Sequence, residues 1–235
     1  MNTKNLGDCM DIKLKELRDN GTFVDSITEN NAIKLFDSIE FNSMKSIGIS
    51  TAGFIEGYYA SKGKRVVATT LDNTGIEYMK SLLKDVEGSN NIEYRCEDAS
   101  KQSKDEDNSF DVLYSRLCLH YLTDNELEVA LNDCYRILKP KGVFFIALKS
   151  ANDRMAQANN SNIDKKTGLT VVTDRKLYGN QQRRFHTIES ISEAVKNAGF
   201  KIESVIELKE RLCKDWERKI LSDADATVIQ LVVRK

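Results

Sequence analysis

Short runs rich in β-branched and aromatic residues alternate with amphipathic helical segments, and that alternation predicts an α/β domain with a mostly parallel sheet covered on both faces. The runs are KSIGIS, KRVVATT, NIEYRC, FDVLYSR and GVFFIALK, beginning at residues 45, 64, 91, 110 and 142. The chain has 235 residues, of which 40% are hydrophobic, enough for one domain of ordinary size with a real core. No repeat or linker divides it, so a single domain over 1–235 is expected. Its parts are N-terminal helices (1–42), a first sheet-forming half (43–150), an insertion (151–186), and a closing helix and strand pair (187–235).

Met10, Leu14 and Leu17 fall at i, i+4 and i+7, and Ala32, Ile33 and Phe36 continue the helical pattern after a break at Asn20-Gly21. After the second strand, Ile76, Met79, Leu83 and Val86 form a similar stripe. Thr123-Asp124-Asn125-Glu126 reads as a capping box, which satisfies orphan N–H groups at a helix start. Leu127, Leu131, Cys134 and Leu138 then make an apolar stripe, stopped by Pro140 and Gly142 before the next strand. Residues 151–186 are polar and Asn-rich, with a short strand expected at Leu169–Val172. A long insertion of this kind is a binding loop or lid, or else disordered, and a lid is the favoured reading. Thr187 to Ala198 is again helical, with Ile188, Ile191, Val195 and Ala198 on one face and Gly199 just past its end. Two strands, FKIESVIEL and ATVIQLVVRK, follow, joined by a charged stretch that carries the only tryptophan, Trp216.

Lys plus Arg (35) nearly cancels Asp plus Glu (36), so no overall field draws the protein to nucleic acid or anionic lipid. No run of about 18 apolar residues is present, and the N-terminus lacks the apolar centre of a signal peptide, so a cytoplasmic protein without a membrane span is expected. The five cysteines show no CxxC spacing and are expected to be mostly small buried apolar residues. The two histidines show no zinc-ligand spacing, so no metal site is expected.

SIGISTAGFIEGYYASKGKRVVATTL, residues 46–71, has the outline of a strand, turn, helix and strand, but lacks most of the glycines and both acids of a usual nucleotide-binding βαβ unit. Downstream, NSFDVLYSRLCLHYLTDNELEVALNDCYRILKPKGVFFIAL (108–148) and RRFHTIESISEAVKNAGFKI (183–202) carry a resemblance to the class I S-adenosylmethionine-dependent methyltransferases, particularly the small-molecule group that includes the tellurite-resistance enzymes. The resemblance covers roughly Ser46 to the C-terminus. It implies a Rossmann-like seven-stranded sheet, parallel except for an antiparallel last strand, with S-adenosylmethionine as cofactor and a small-molecule substrate.

Carried over position by position, the family's acid-x-Gly-x-Gly-x-Gly loop falls on Ile47, Ile49, Thr51 and Gly53, with Gly48 brought in by a one-residue shift. The ribose-binding acid falls on Thr70, with Asp72 two residues later. Asp98 and Ala99 match the acid-small pair that meets adenine, although Asp98 also suits the cap of a turn. Ser115 and Arg116 stand where relatives line the methionine moiety, and Arg116 suits an anionic ligand as well. Near the expected acceptor mouth the candidates are His120, Tyr121 and Arg184, while Arg183 and Arg184 suit a carboxylate or phosphate as well as a solvated face. His186 suits capping or packing of the helix that follows it. An alternative for the whole chain is a catalytically inactive methyltransferase-like module that binds or regulates a protein partner.

Overall fold

The computed structural model describes residues 10–23, 26–49, 53–160, 162–174, 179–213 and 221–235. Two helices, α1 (Ile12–Asp19) and α2 (Ile27–Phe36), precede the first half of the sheet. That half runs β1 (Ser43–Ile47), α3 (Phe54–Ser61), β2 (Arg65–Thr70), α4 (Asn73–Leu83) and β3 (Ile92–Cys96). The chain continues through β4 (Phe110–Arg116), α5 (Asp124–Ile137) and β5 (Leu138–Lys149). Short α6 (Arg154–Ala158) and the hairpin β6 (Thr170–Asp174) and β7 (Gly179–Arg183) form the insertion. The chain closes with α7 (Ile188–Asn197), β8 (Lys201–Glu210) and β9 (Ala226–Arg234). Trp216 and Cys9 lie outside the described residues.

The seven-stranded sheet has the order β3-β2-β1-β4-β5-β9-β8, with β9 antiparallel to both neighbours and the strands from β3 to β5 parallel. This is the architecture expected from the chain. Helices α1 to α4 cover one face, where Leu14, Ile33, Phe36, Tyr59 and Met79 pack on Met44, Val66, Val112 and Phe145. Helices α5 and α7 cover the other, where Leu127, Leu131, Ile191 and Val195 pack on Val67, Leu113, Phe144 and Leu231. Each such side chain, fully buried, contributes about 1.5–3 kcal/mol, which is why the period of the apolar residues dictates the layers.

Several details differ from the expectation. β1 ends at Ile47, because Gly48 takes a φ of +78° and turns the chain out of the sheet, with the Gly48 and Ile49 N–H groups both donating to the Thr69 carbonyl. Leu138 belongs to β5 and not to the α5 stripe, because the backbone is already extended there, two residues before Pro140. The capping box at Thr123 and Glu126 forms as expected, and α7 is capped by Thr187. The cysteines are less uniformly buried than expected: Cys134 is buried, Cys118 and Cys213 are partly exposed, and Cys96 is exposed at the end of edge strand β3. No described helix is long and apolar enough to cross a membrane.

Candidate functional site

Parallel strands deliver their carboxyl ends to one edge of the sheet, and the loops there form clefts beside the central strands. In this protein a cavity of about 390 Å³ lies on the α5 side, between the ends of β1 to β3, the 97–104 loop and α5. Ile47, Thr69, Ala99, Leu119 and Cys134 give its walls an apolar character, and Asp98 stands on its rim loop. The Asp98 carboxylate accepts from the Ser100 hydroxyl (2.7 Å) and N–H (3.0 Å) and pairs with Lys101 at 3.1 Å. The Ser100 hydroxyl bond is the main cause that holds the carboxyl below its usual range. Asp98 therefore caps its own turn while also lining the cavity.

An ionic group that sequence reasoning missed forms the floor. Lys45, its side chain only 4% exposed in the middle of β1, pairs with Glu97 at 2.7 Å and with Asp105. Arg95 bonds the same Asp105 at 2.7 Å and Glu97 at 3.2 Å. The sequence signal was a lysine between Met44 and Ile47 in the central SMKSI strand, because a buried ammonium requires carboxylates nearby.

The glycine positions are close-packed. A Cβ at Gly48 would lie 2.2 Å from the Cys118 Sγ, and one at Gly53, whose φ is +122°, would lie 1.6 Å from Met79 Cε. Thr51 lies outside the described residues. Thr70 and Asp72 are adjacent to the cavity in sequence but not in its wall. The Thr70 hydroxyl accepts from the Asp72 N–H at 3.2 Å, and the Asp72 carboxylate caps α4 through the Thr74 N–H at 2.9 Å. Ser115 is fully buried, its hydroxyl donating to the Ile47 carbonyl at 3.3 Å.

Arg116 does not reach the cavity. Its Nε donates to the Thr28 hydroxyl at 2.8 Å and its guanidinium pairs with Glu210. Glu210 in turn accepts from the Thr28 N–H at 2.6 Å and the Ser26 hydroxyl at 3.2 Å at the start of α2. Burial disfavours the Arg116 charge, and Glu210, Tyr114 and Glu29 together more than offset that. His120 is buried to 1% exposure, with its ring 4.4 Å from that of half-exposed Tyr121. Arg184 pairs with Asp124 at the start of α5, and its N–H donates to the His120 carbonyl at 2.7 Å.

Residues 46–146 match the family model described as a methyltransferase domain. Over that stretch the chain is similar to the methyltransferase-domain family. An S-adenosylmethionine-dependent methyltransferase from Methanosarcina mazei superposes with a TM-score of 0.69 at 16% identity, over 86% of this chain and 96% of that one. A Clostridium acetobutylicum S-adenosylmethionine-dependent methyltransferase superposes with a TM-score of 0.64 at 17% identity, covering 95% of this chain and 96% of that one. The cyclase SpnF shares the same fold, with a TM-score of 0.63 at 15% identity over 88% of this chain and 80% of its own. No curated relative matches the chain. S-adenosylmethionine is the cofactor that a methyltransferase domain of this kind implies.

Proposed function

We propose that the protein transfers a methyl group from S-adenosylmethionine to a small molecule, holding the adenosine half of the cofactor in the cavity beneath the 97–104 loop. The observation that carries this reading is the cavity itself. Its volume, about 390 Å³, is in the range of small-ligand clefts, and its walls are apolar with a carboxylate at the rim. Those residues fit an adenine ring: the Asp98 carboxylate would accept from its exocyclic amine, the Ala99 N–H would meet a ring nitrogen, and Ile47 and Leu119 would flank its faces. Thr70 and Asp72, at the end of β2 and just beyond it, would serve the ribose in this reading.

When bound, the cofactor supplies an electrophilic methyl on a sulfonium centre. What the chain contributes is positioning and exclusion of water, since in-line displacement depends chiefly on alignment of donor and acceptor. Ser115 and Arg116 contribute indirectly in this reading: one ties β4 to β1, the other ties β4 to α2 and to the end of β8. No general base is assigned.

A second reading, a methyltransferase-like module that binds a protein partner without catalysis, is favoured by the packing around the loop. Cys118 fills the space beside Gly48, Met79 fills the space beside Gly53, and Arg116 is committed to Glu210. The same fold serves a cyclase in SpnF, so the fold does not dictate the reaction. Isothermal titration with S-adenosylmethionine and with S-adenosylhomocysteine separates the two. Micromolar binding, weakened about tenfold or more by Asp98→Ala, supports the methyltransferase. No heat up to millimolar with a cooperatively folded protein supports the partner-binding module.

A further inference from the structure

Below the β6–β7 hairpin, three stretches of chain meet. The Arg184 N–H donates to the His120 carbonyl (2.7 Å), the His186 N–H to the Lys149 carbonyl (3.1 Å), and the Ala151 N–H to the His186 carbonyl (2.7 Å). These bonds gather His120, Lys149, Arg183 and His186 at the carboxyl ends of β4 and β5. His120 directly follows Leu119, a residue of the cavity wall.

The polar groups gathered there are unusual in what they lack. Both ring nitrogens of His120 and the Nε2 of His186 are buried without a hydrogen-bond partner among the described residues, as are the Nε atoms of Arg183 and Arg184. His120 is 1% exposed and His186 4%. Buried polar atoms are normally bonded, and each exception calls for an explanation. A guanidinium Nε–H only donates, and a neutral imidazole carries one donor beside its one acceptor, so the two arginine Nε–H groups and one nitrogen of His120 lack an acceptor.

Charge narrows the class. Lys149, 5% exposed, is balanced by Asp153 at 3.3 Å, and Arg184 by Asp124. Arg183 has no carboxylate partner among the described residues. Its guanidinium bonds the Gln181 amide oxygen, approaches the Met155 sulfur at 3.9 Å and lies 5.3 Å above the Tyr121 ring. The cluster thus holds one uncompensated positive charge. We propose that His120, Lys149, Arg183 and His186 form a recognition site for a carboxylate monoanion, which is the charged group of the methyl acceptor.

Burial, then the charges of Arg183 and Lys149 and the His186 ring, keeps His120 neutral well below its usual range, which is consistent with these groups facing one another. The assignment to the acceptor rests on the methyltransferase reading; the binding of an anion does not.

The test uses the full chain and the imidazole proton–nitrogen spectrum, which contains only two histidines. Titration with sodium acetate at constant ionic strength is expected to shift both rings saturably, whereas acetamide leaves them unmoved. Arg183→Gln is expected to weaken the acetate response about tenfold or more, and Arg183→Lys to keep part of it. Absence of a saturable shift in the unmodified chain, an equal response to acetamide, or an unchanged response in a folded Arg183→Gln chain overturns the site. Tighter binding of inorganic phosphate than of acetate overturns the monoanion assignment. Acetate binding without any S-adenosylmethionine binding removes the link to methyl transfer and leaves the anion site standing.

Discussion

At the scale of single residues, Gly48 shows how tightly the loop after β1 is built. Its φ of +78° is a conformation that costs a residue with a Cβ about 1–2 kcal/mol, and the Cys118 Sγ occupies the place where that Cβ would go. Gly48→Ala is expected to destabilise the fold by about 2–5 kcal/mol, the sum of backbone strain and overpacking, as read by urea unfolding. Adding Cys118→Gly, which removes both the Sγ at 2.2 Å and the Cβ at 2.4 Å from the place of the new Cβ, is expected to recover the overpacking part and leave the backbone part. The cysteines make a second residue-scale test. Burial pushes the Cys118 thiol up to about 12, and burial likewise raises that of Cys134, so neither supplies thiolate at neutral pH. Exposed Cys96 is expected to take up a thiol reagent well before Cys134, as mapped by peptide mass spectrometry.

At the scale of elements, the contact that matters most is the one joining α2, β4 and β8. Glu210, 2% exposed, receives bonds from Ser26 and Thr28 at the N-terminus of α2 and faces Arg116, so one carboxylate satisfies a helix end and a buried guanidinium together. Removing it leaves the guanidinium buried without its counter-charge. Glu210→Ala is expected to cost about 3–5 kcal/mol and to speed hydrogen exchange at the first amides of α2. The pair Arg116→Met with Glu210→Leu is expected to regain part of the stability, because no buried charge is then left alone while the Thr28 N–H still lacks its acceptor. If exchange in α2 is unchanged in Glu210→Ala, the three elements are not coupled through this carboxylate.

At the scale of the whole molecule, the two buried histidines govern the response to acid. Burial, reinforced by the Arg184 charge, lowers the His186 pKa to about 4, and burial lowers that of His120 well below its usual range. A histidine whose pKa is lower in the folded state than in the unfolded chain favours folding while both states are neutral. As pH falls below about 6.5 the unfolded chain takes up protons and the folded one does not, so stability declines until the folded pKa is reached. Each ring adds a slope of up to about 1.4 kcal/mol per pH unit within that window. Asp111 acts lower. Burial raises its carboxyl, but Lys139, Asn42 and Ser43 outweigh that and hold it at about 2. Its contribution is present above the usual carboxylate range and fades only as pH falls toward 2. Chemical unfolding at steps from pH 7 to pH 4 is therefore expected to show a steady loss of stability, and His186→Gln is expected to flatten its share of that slope.

What the chain alone determined is what depends on neighbours in sequence. The period of Leu127, Leu131 and Cys134, the Thr123 and Glu126 box and the β-branched runs each act over a few residues, so the layers and the element order could be read before any coordinates. The position of Asp98 and Ala99 just after a strand was equally legible, and the structure puts both residues against the cavity. Tertiary structure decided the partners. Arg116 was visible at a strand end, but Glu210 lies 94 residues away, and only the path of β8 across the sheet brings them together. The same holds for Lys45, whose carboxylates both come from the loop that follows β3, and for Cys118, which fills the space beside Gly48. Local periodicity tells which face of an element is buried. Which charged group meets which is set by pairing across the sheet, where distance along the chain carries no information.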